Sequence, residues 1–253
     1  MCGQCGCDTT ETLKHEHEHE HHHHHRHNHR LVDIQQSVLH KNHTLAQGNR
    51  QEFTQRNLLV LNILSSPGSG KTTFIEKTLK TTEQQFNYGV IVGDLATDND
   101  AQRLRSTKAP VIQITTGDIC HLEASMIKNA SDELGLDGLD ILIIENVGNL
   151  VCPAAYDLGE DIRVVLLSTT EGEDKPLKYP TMFKGADVVI INKIDLAEVL
   201  EWQEDLAREN IQKIAPNALI LAVSARKDTG MSAWYDYLAK ARQAKTQTGY
   251  SLV

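Results

Sequence analysis

The stretch Ser65-Ser66-Pro67-Gly68-Ser69-Gly70-Lys71-Thr72-Thr73 constrains this chain more than any other, because an apolar run precedes it and a helical pattern follows it. Glycines at 68 and 70 let the backbone turn its N–H groups inward, and a helix starting at Lys71 adds a favourable dipole for anions. This is a phosphate-binding loop in its proper strand–loop–helix setting. One position departs from the pattern: Ser65 stands where the motif has its first glycine, so the loop entry is made by a residue with a Cβ.

A strand feeding such a loop belongs to a parallel sheet. From residue 58 onward short apolar runs alternate with helical stretches, the pattern of a mostly parallel sheet covered on both faces. Strands are expected over 58–64, 90–92, 110–114, 139–144, 162–167, 188–191 and 218–223, with the clearest helices over 71–86, 119–134, 197–214 and 231–244. The fold class is therefore α/β, a three-layer α/β/α P-loop NTPase domain over residues 58–253. Residues 31–57 carry loosely spaced apolar positions (Leu31, Ile34, Val38, Leu45, Phe53) and read as one or two helices packing on that domain. Residues 1–30 have almost no apolar content and hold ten of the thirteen histidines, so burial cannot offset their ordering entropy. They read as a tail that is disordered without metal.

Composition narrows the function classes. No run approaches the roughly 18 apolar residues of a membrane span, and the first thirty residues do not resemble a signal peptide, so a cytoplasmic protein is expected. In that compartment the five cysteines are available as thiols. A formal charge of −9 disfavours nucleic acid and anionic membrane as partners.

Within the loop, backbone N–H groups of residues 67–73 (Pro67, which has none, shapes the turn; Gly68, Ser69, Gly70, Lys71, Thr72 and Thr73 follow) surround the phosphates, Lys71 reaches the β and γ phosphates, and the Thr72 hydroxyl ligates Mg²⁺. The base is read further along, at Asn192-Lys193-Ile194-Asp195. A carboxylate at Asp195 accepts two hydrogen bonds that guanine offers and adenine does not, so GTP and GDP are the expected nucleotides. The backbone of Ser224 and Ala225 is placed to approach the guanine oxygen. Asp94 and Glu145, each at the end of an apolar run, complete the oxygen ligands of Mg²⁺, and Gly148 can sense the γ phosphate. Lys71, Thr72, Asp94 and Glu145 are thus the expected catalytic set; no residue is evident for orienting the attacking water.

Three groups of soft ligands surround this site. Cys2, Cys5 and Cys7 place three thiols on a glycine-containing stretch, a capacity for Ni²⁺ or Zn²⁺, with a redox Cys-x-x-Cys as the alternative. His15, His17, His19, His21, His22, His23, His24, His25, His27 and His29 form a tract suited to buffering several ions; it is interleaved with glutamate, unlike a purification tag. Inside the domain stand Cys120, His121 and Cys152, the last just beyond Glu145 and Gly148. Buried cysteines are also common in cores, and sequence separation leaves the choice open.

With these elements in one chain, the sequence resembles the HypB family of hydrogenase nickel incorporation proteins, GTPases of the signal-recognition, MinD and BioD class. The resemblance implies a high-affinity nickel site on Cys2, Cys5 and Cys7 and a domain metal site on Cys120, His121 and Cys152. It also implies a GTP-dependent homodimer and nickel delivery to the NiFe-hydrogenase large subunit with a HypA-type companion chaperone. The urease accessory GTPases of the UreG type, and a nickel storage protein with a vestigial nucleotide domain, are the competing readings.

Overall fold

A computed structural model describes residues 25–96 and 98–248. Seven strands form one sheet in the order β3-β2-β4-β1-β5-β6-β7: β1 Leu59–Ser65, β2 Tyr88–Asp94, β3 Val111–Thr115, β4 Ile141–Glu145, β5 Ile162–Ser168, β6 Val188–Asn192 and β7 Leu219–Ala222. Every pairing is parallel. β1 lies centrally, between β4 and β5, and its seven residues are all buried. A strand covered on both faces must read as a continuous apolar run, which is why 58–64 was legible.

Alternate residues of β1 serve different layers. Leu59, Leu61 and Ile63 pack with Phe74, Ile75 and Leu79 of α2 (Lys71–Thr82), with Ala101 and Leu104 of α3 (Asn99–Arg105), and with Trp234 and Leu238 of α8 (Met231–Thr248). On the opposite face Val60, Ile91, Leu142 and Ile144 meet Phe53 of α1 (His25–Gln55) and Ile127 of α4 (Ala124–Leu134). Beside them Leu64, Val165, Leu167 and Ile191 meet Met182 and Phe183 of α6 (Pro180–Lys184) and Ile211 of α7 (Glu204–Ile214); the short α5 (Lys175–Lys178) precedes α6. Three layers result.

Several boundaries differ from the sequence reading. The helix expected from residue 119 begins at Ala124, because Gly117 takes a left-handed turn (φ 62°) and residues 118–123 run on without helix, carrying Cys120 and His121. The helix expected from residue 197 begins at Glu204, since Glu201 is left-handed (φ 53°) and breaks it. α2 stops at Thr82 rather than 86. β2 is longer than 90–92: Gly89 and Gly93, which look like strand breakers, lie where a Cβ would come within 2.8 Å of leucine side chains from 139, 134 and 122. Among the described residues the N-terminal segment is one helix, α1 (His25–Gln55).

The readings on Cys2, Cys5, Cys7 and His15, His17, His19, His21, His22, His23 and His24 lie outside the described residues, while His25, His27 and His29 fall on the first turns of α1. Among the described residues no helix is long and apolar enough to cross a membrane.

Candidate functional site

The carboxyl ends of β1, β2 and β4 open onto a cleft of about 380 Å³ lined by the phosphate-binding loop, Asp94, Asp100, Arg103 and residues 145–148. Open α/β sheets bind ligands at this kind of position, where strand order reverses. Gly68 and Gly70 hold φ angles of 75° and 97°, the left-handed region that lets the loop curl. Ser65 does not enter that region and so needs no glycine. Its buried hydroxyl accepts a hydrogen bond from Lys71 Nζ at 2.9 Å and donates to the Ser66 carbonyl at 2.7 Å. The residue that broke the motif therefore holds the motif's lysine in place.

Thr72 Oγ1 donates to Glu145 Oε1 at 2.7 Å. Glu145 is 2% exposed, and burial pushes its carboxyl up to about 7 against the opposing pull of Lys71 and of the Thr72 hydroxyl. Burial likewise lowers the Lys71 ammonium, with Glu145 the strongest of several carboxylates resisting it. Glu145 Oε2 is buried with no hydrogen-bond partner. An orphaned carboxylate oxygen beside a threonine hydroxyl, with Asp94 on the same cleft wall, is an all-oxygen donor set that fits a hard divalent cation. Gly148 follows on the same stretch, where a Cβ would lie 3.1 Å from Pro67 Cα, so this loop touches the phosphate-binding loop directly.

The base motif is braced to that loop. Lys193, left-handed at φ 64°, sends Nζ to the Gly68 carbonyl at 2.7 Å. Asn192 is 2% exposed; its Nδ2 donates to the Ser69 carbonyl at 2.9 Å and its Oδ1 accepts from Ala225 N–H at 3.2 Å. Both ends of its side chain are thereby engaged, and it ties the base motif to the phosphate-binding loop and to the segment at Ala225. Asp195 is exposed on the turn that follows, and the Ile194 N–H donates to the Val223 carbonyl at 3.2 Å, which sets Asp195 beside the segment carrying Ser224 and Ala225. Ser224 is fully buried and Ala225 nearly so.

The sequence reading missed two cleft residues. Asp100 and Arg103 come from α3, too short to register as a periodic helix, and Arg103 is held by Glu76 at 2.6 Å and by Thr73 Oγ1 at 3.0 Å.

Cys120, His121 and Cys152, from two separate loops, converge: one ligand atom from each lies within 4.8 Å of the others. Cys152 opens a 3₁₀ turn (Cys152–Ala155), and the Asn149 side chain joins the loops by donating to the Cys120 carbonyl at 3.2 Å. The His121 ring stacks on Tyr156 with centroids 3.8 Å apart, and both ring nitrogens are buried without a hydrogen-bond partner. Glu123 stands 3.7 Å from Nε2, beyond hydrogen-bond reach. Burial lowers the imidazole below its ordinary value, with Glu123 opposing, and the neutral ring is the form that ligates metals. Two thiols and an imidazole suit nickel or zinc.

Comparison with known proteins shows the family. Residues 59–222 match the family model "CobW/HypB/UreG, nucleotide-binding domain". The hydrogenase maturation factor HypB of Escherichia coli is 47% identical over 215 residues, 85% of this chain and 74% of that protein. The hydrogenase/urease maturation factor HypB of Helicobacter pylori is 44% identical over 224 residues, 87% of this chain and 92% of that one. The crystal structure of Helicobacter pylori HypB in complex with nickel superposes with a TM-score of 0.76 at 45% identity, covering 81% of this chain and 96% of that one. Family model, sequence relatives and fold converge: the chain belongs to the HypB family of hydrogenase maturation factors.

Proposed function

We propose that the chain is a GTP-hydrolysing nickel metallochaperone that stores nickel and delivers it for NiFe-hydrogenase maturation, with nucleotide state coupled to metal release and to homodimerisation. One observation carries the reading: Cys152, whose thiol meets those of Cys120 and the His121 ring, sits on the same stretch as Glu145 and Gly148, which line the phosphate cleft. A ligand on that stretch is moved by whatever moves the cleft wall.

In this reading Lys71 faces the β and γ phosphates of GTP, and Asp195 selects guanine. Thr72, Asp94 and Glu145 are the residues that would hold Mg²⁺, which supplies charge neutralisation between the phosphates. Glu145 then gives up its proton, and its unpartnered Oε2 gains a use. Nickel is cargo, taken by Cys120, His121 and Cys152 and passed on in concert with a HypA-type chaperone to the hydrogenase large subunit. Cys2, Cys5, Cys7 and the histidine tract supply and buffer it. Hydrolysis resets the cycle.

The test is a Ni²⁺ titration of the full chain with GDP and with a nonhydrolysable GTP analogue, beside phosphate release from GTP and from ATP. Different nickel affinities in the two nucleotide states, with release from GTP alone, are expected. Equal affinities would remove the coupling, and turnover of ATP would remove the base assignment.

A further inference from the structure

Helix α1 buries two asparagines on one stripe with Ala46 and Phe53: Asn42 is 7% exposed and Asn49 2%. Spacings of four, three and four residues put all of them on one face, where a core-facing helix ordinarily carries apolar side chains. A buried amide costs stability unless its hydrogen bonds are met, and here they are met in a particular way. Asn42 Oδ1 accepts from the Ala124 N–H at 2.8 Å, and Asn42 Nδ2 donates to the Asp157 carbonyl at 2.8 Å. Asn49 Nδ2 donates to the Ala124 carbonyl at 2.9 Å and to the Leu158 carbonyl at 3.1 Å.

Those acceptors and donors sit on the two limbs that carry the Cys120, His121 and Cys152 cluster. Ala124 begins α4 just after His121; Asp157 and Leu158 follow Tyr156, the ring stacked on His121, and the turn opened by Cys152. Each asparagine therefore bridges one limb to the other. The contact is close all along: a Cβ on Gly159 would meet the Ala46 carbonyl at 2.8 Å, and Arg50 pairs with Asp157 at 2.7 Å.

We infer that α1 is a clasp for the metal cluster, with Asn42 and Asn49 acting as positioning residues that set the separation of the two ligand-bearing limbs. The inference rests on the proposed reading that Cys120, His121 and Cys152 take nickel. It adds that the helix leading out of the Cys- and His-rich segment governs the ligand spacing, so a pull on α1 changes the affinity of a site it does not itself ligate.

The experiment uses the full chain with Cys2, Cys5 and Cys7 changed to Ser, so that near-ultraviolet thiolate-to-nickel absorption reports Cys120 and Cys152 alone. In that background Cys152→Ser is expected to weaken and shift the band, leaving the share of Cys120, and a parent without a Cys152-dependent band would sink the metal reading and the clasp together. Asn42→Ala, Asn49→Ala and the double variant are expected to weaken Ni²⁺ binding about tenfold or more and to shift the band, with GTP hydrolysis within about twofold of the parent. The single Asn42→Ala keeps the Asn49 bridge and so guards against loss of the fold. An unchanged titration in a double variant that still hydrolyses GTP overturns the clasp while leaving the metal site standing. A parallel fall in both activities would make the asparagines general stabilisers and also overturn it.

Discussion

Replacing Glu145 by Gln isolates a charge the domain holds at a cost. The carboxyl is raised from an ordinary 4.5 to about 7 because burial disfavours its ionised form more than Lys71 and Thr72 favour it. A group whose folded-state pKa lies above its unfolded value contributes stability that is complete below the unfolded value and is lost as pH rises through the folded one. The window is thus from below 4.5 to just above 7. Across about pH 5 to about pH 8 the nucleotide-free protein should lose about 2 to 3 kcal/mol from this group. Gln keeps an Oε1 to accept the Thr72 hydroxyl but has no proton to lose in that range, so its stability should not show that decline. The assay is urea unfolding of both proteins, free of nucleotide and divalent metal, at several pH values. All other titrating groups are shared, so the difference between the two curves belongs to Glu145 and to its effect on Lys71, whose ammonium burial lowers. Parallel curves would mean that Glu145 is already ionised in the empty cleft, and the argument from its burial would fail.

Two further outcomes test the base motif. Asp195→Ala, at an exposed turn, should lower discrimination between GTP and ATP by about a hundredfold or more while changing stability by no more than about 0.5 kcal/mol, read by competition binding and thermal melting. Asn192→Ala leaves the Ser69 carbonyl and Ala225 N–H without their partner, so it should cost about 1 to 3 kcal/mol in urea unfolding and weaken GTP and GDP alike. An Asn192→Ala protein that lost guanine preference but not affinity would show Asn192 to read the base and not to brace the loop.

The sheet was legible because its inner parallel strands, buried on both faces, must be written as apolar runs, and the half-buried edge strands β3 and β7 lie beside them in the expected places. What escaped were features set by contacts rather than by period. β2 extends past the expected 90–92 at both ends, through Gly89 and Gly93, where leucines from distant segments fill the space the missing side chains leave. Residues 119–123 fit a helical pattern, but Gly117 turns the chain and His121 is drawn against Tyr156. The bonds that tie Asn192 to Ser69 and Ala225 were likewise invisible, because a motif does not show which protein groups its members also hold. The proximity of Cys120, His121 and Cys152 was beyond any spacing argument, since two loops from different parts of the chain bring them together.

Asn62 stands in the middle of β1, fully buried among leucines and isoleucines, and its bonds explain why an amide is there. Its Oδ1 accepts from Asn146 Nδ2 at 3.2 Å, next to Glu145 on the cleft wall, and its Nδ2 donates to Glu160 Oε1 at 3.1 Å. Arg163 donates to the same Glu160 oxygen at 2.7 Å and to the Ala154 carbonyl at 3.1 Å, on the 3₁₀ turn opened by Cys152. One buried polar circuit therefore fixes both ends of the stretch from Asn146 to the Cys152 turn. A displacement of Asn146 must either break a bond inside the core, at about 1 to 3 kcal/mol, or carry the turn with it. Since Gly148 abuts Pro67 of the phosphate-binding loop, the second course is the cheaper one wherever the turn is free to follow. That preference is the physical ground for the proposed coupling of nucleotide and metal.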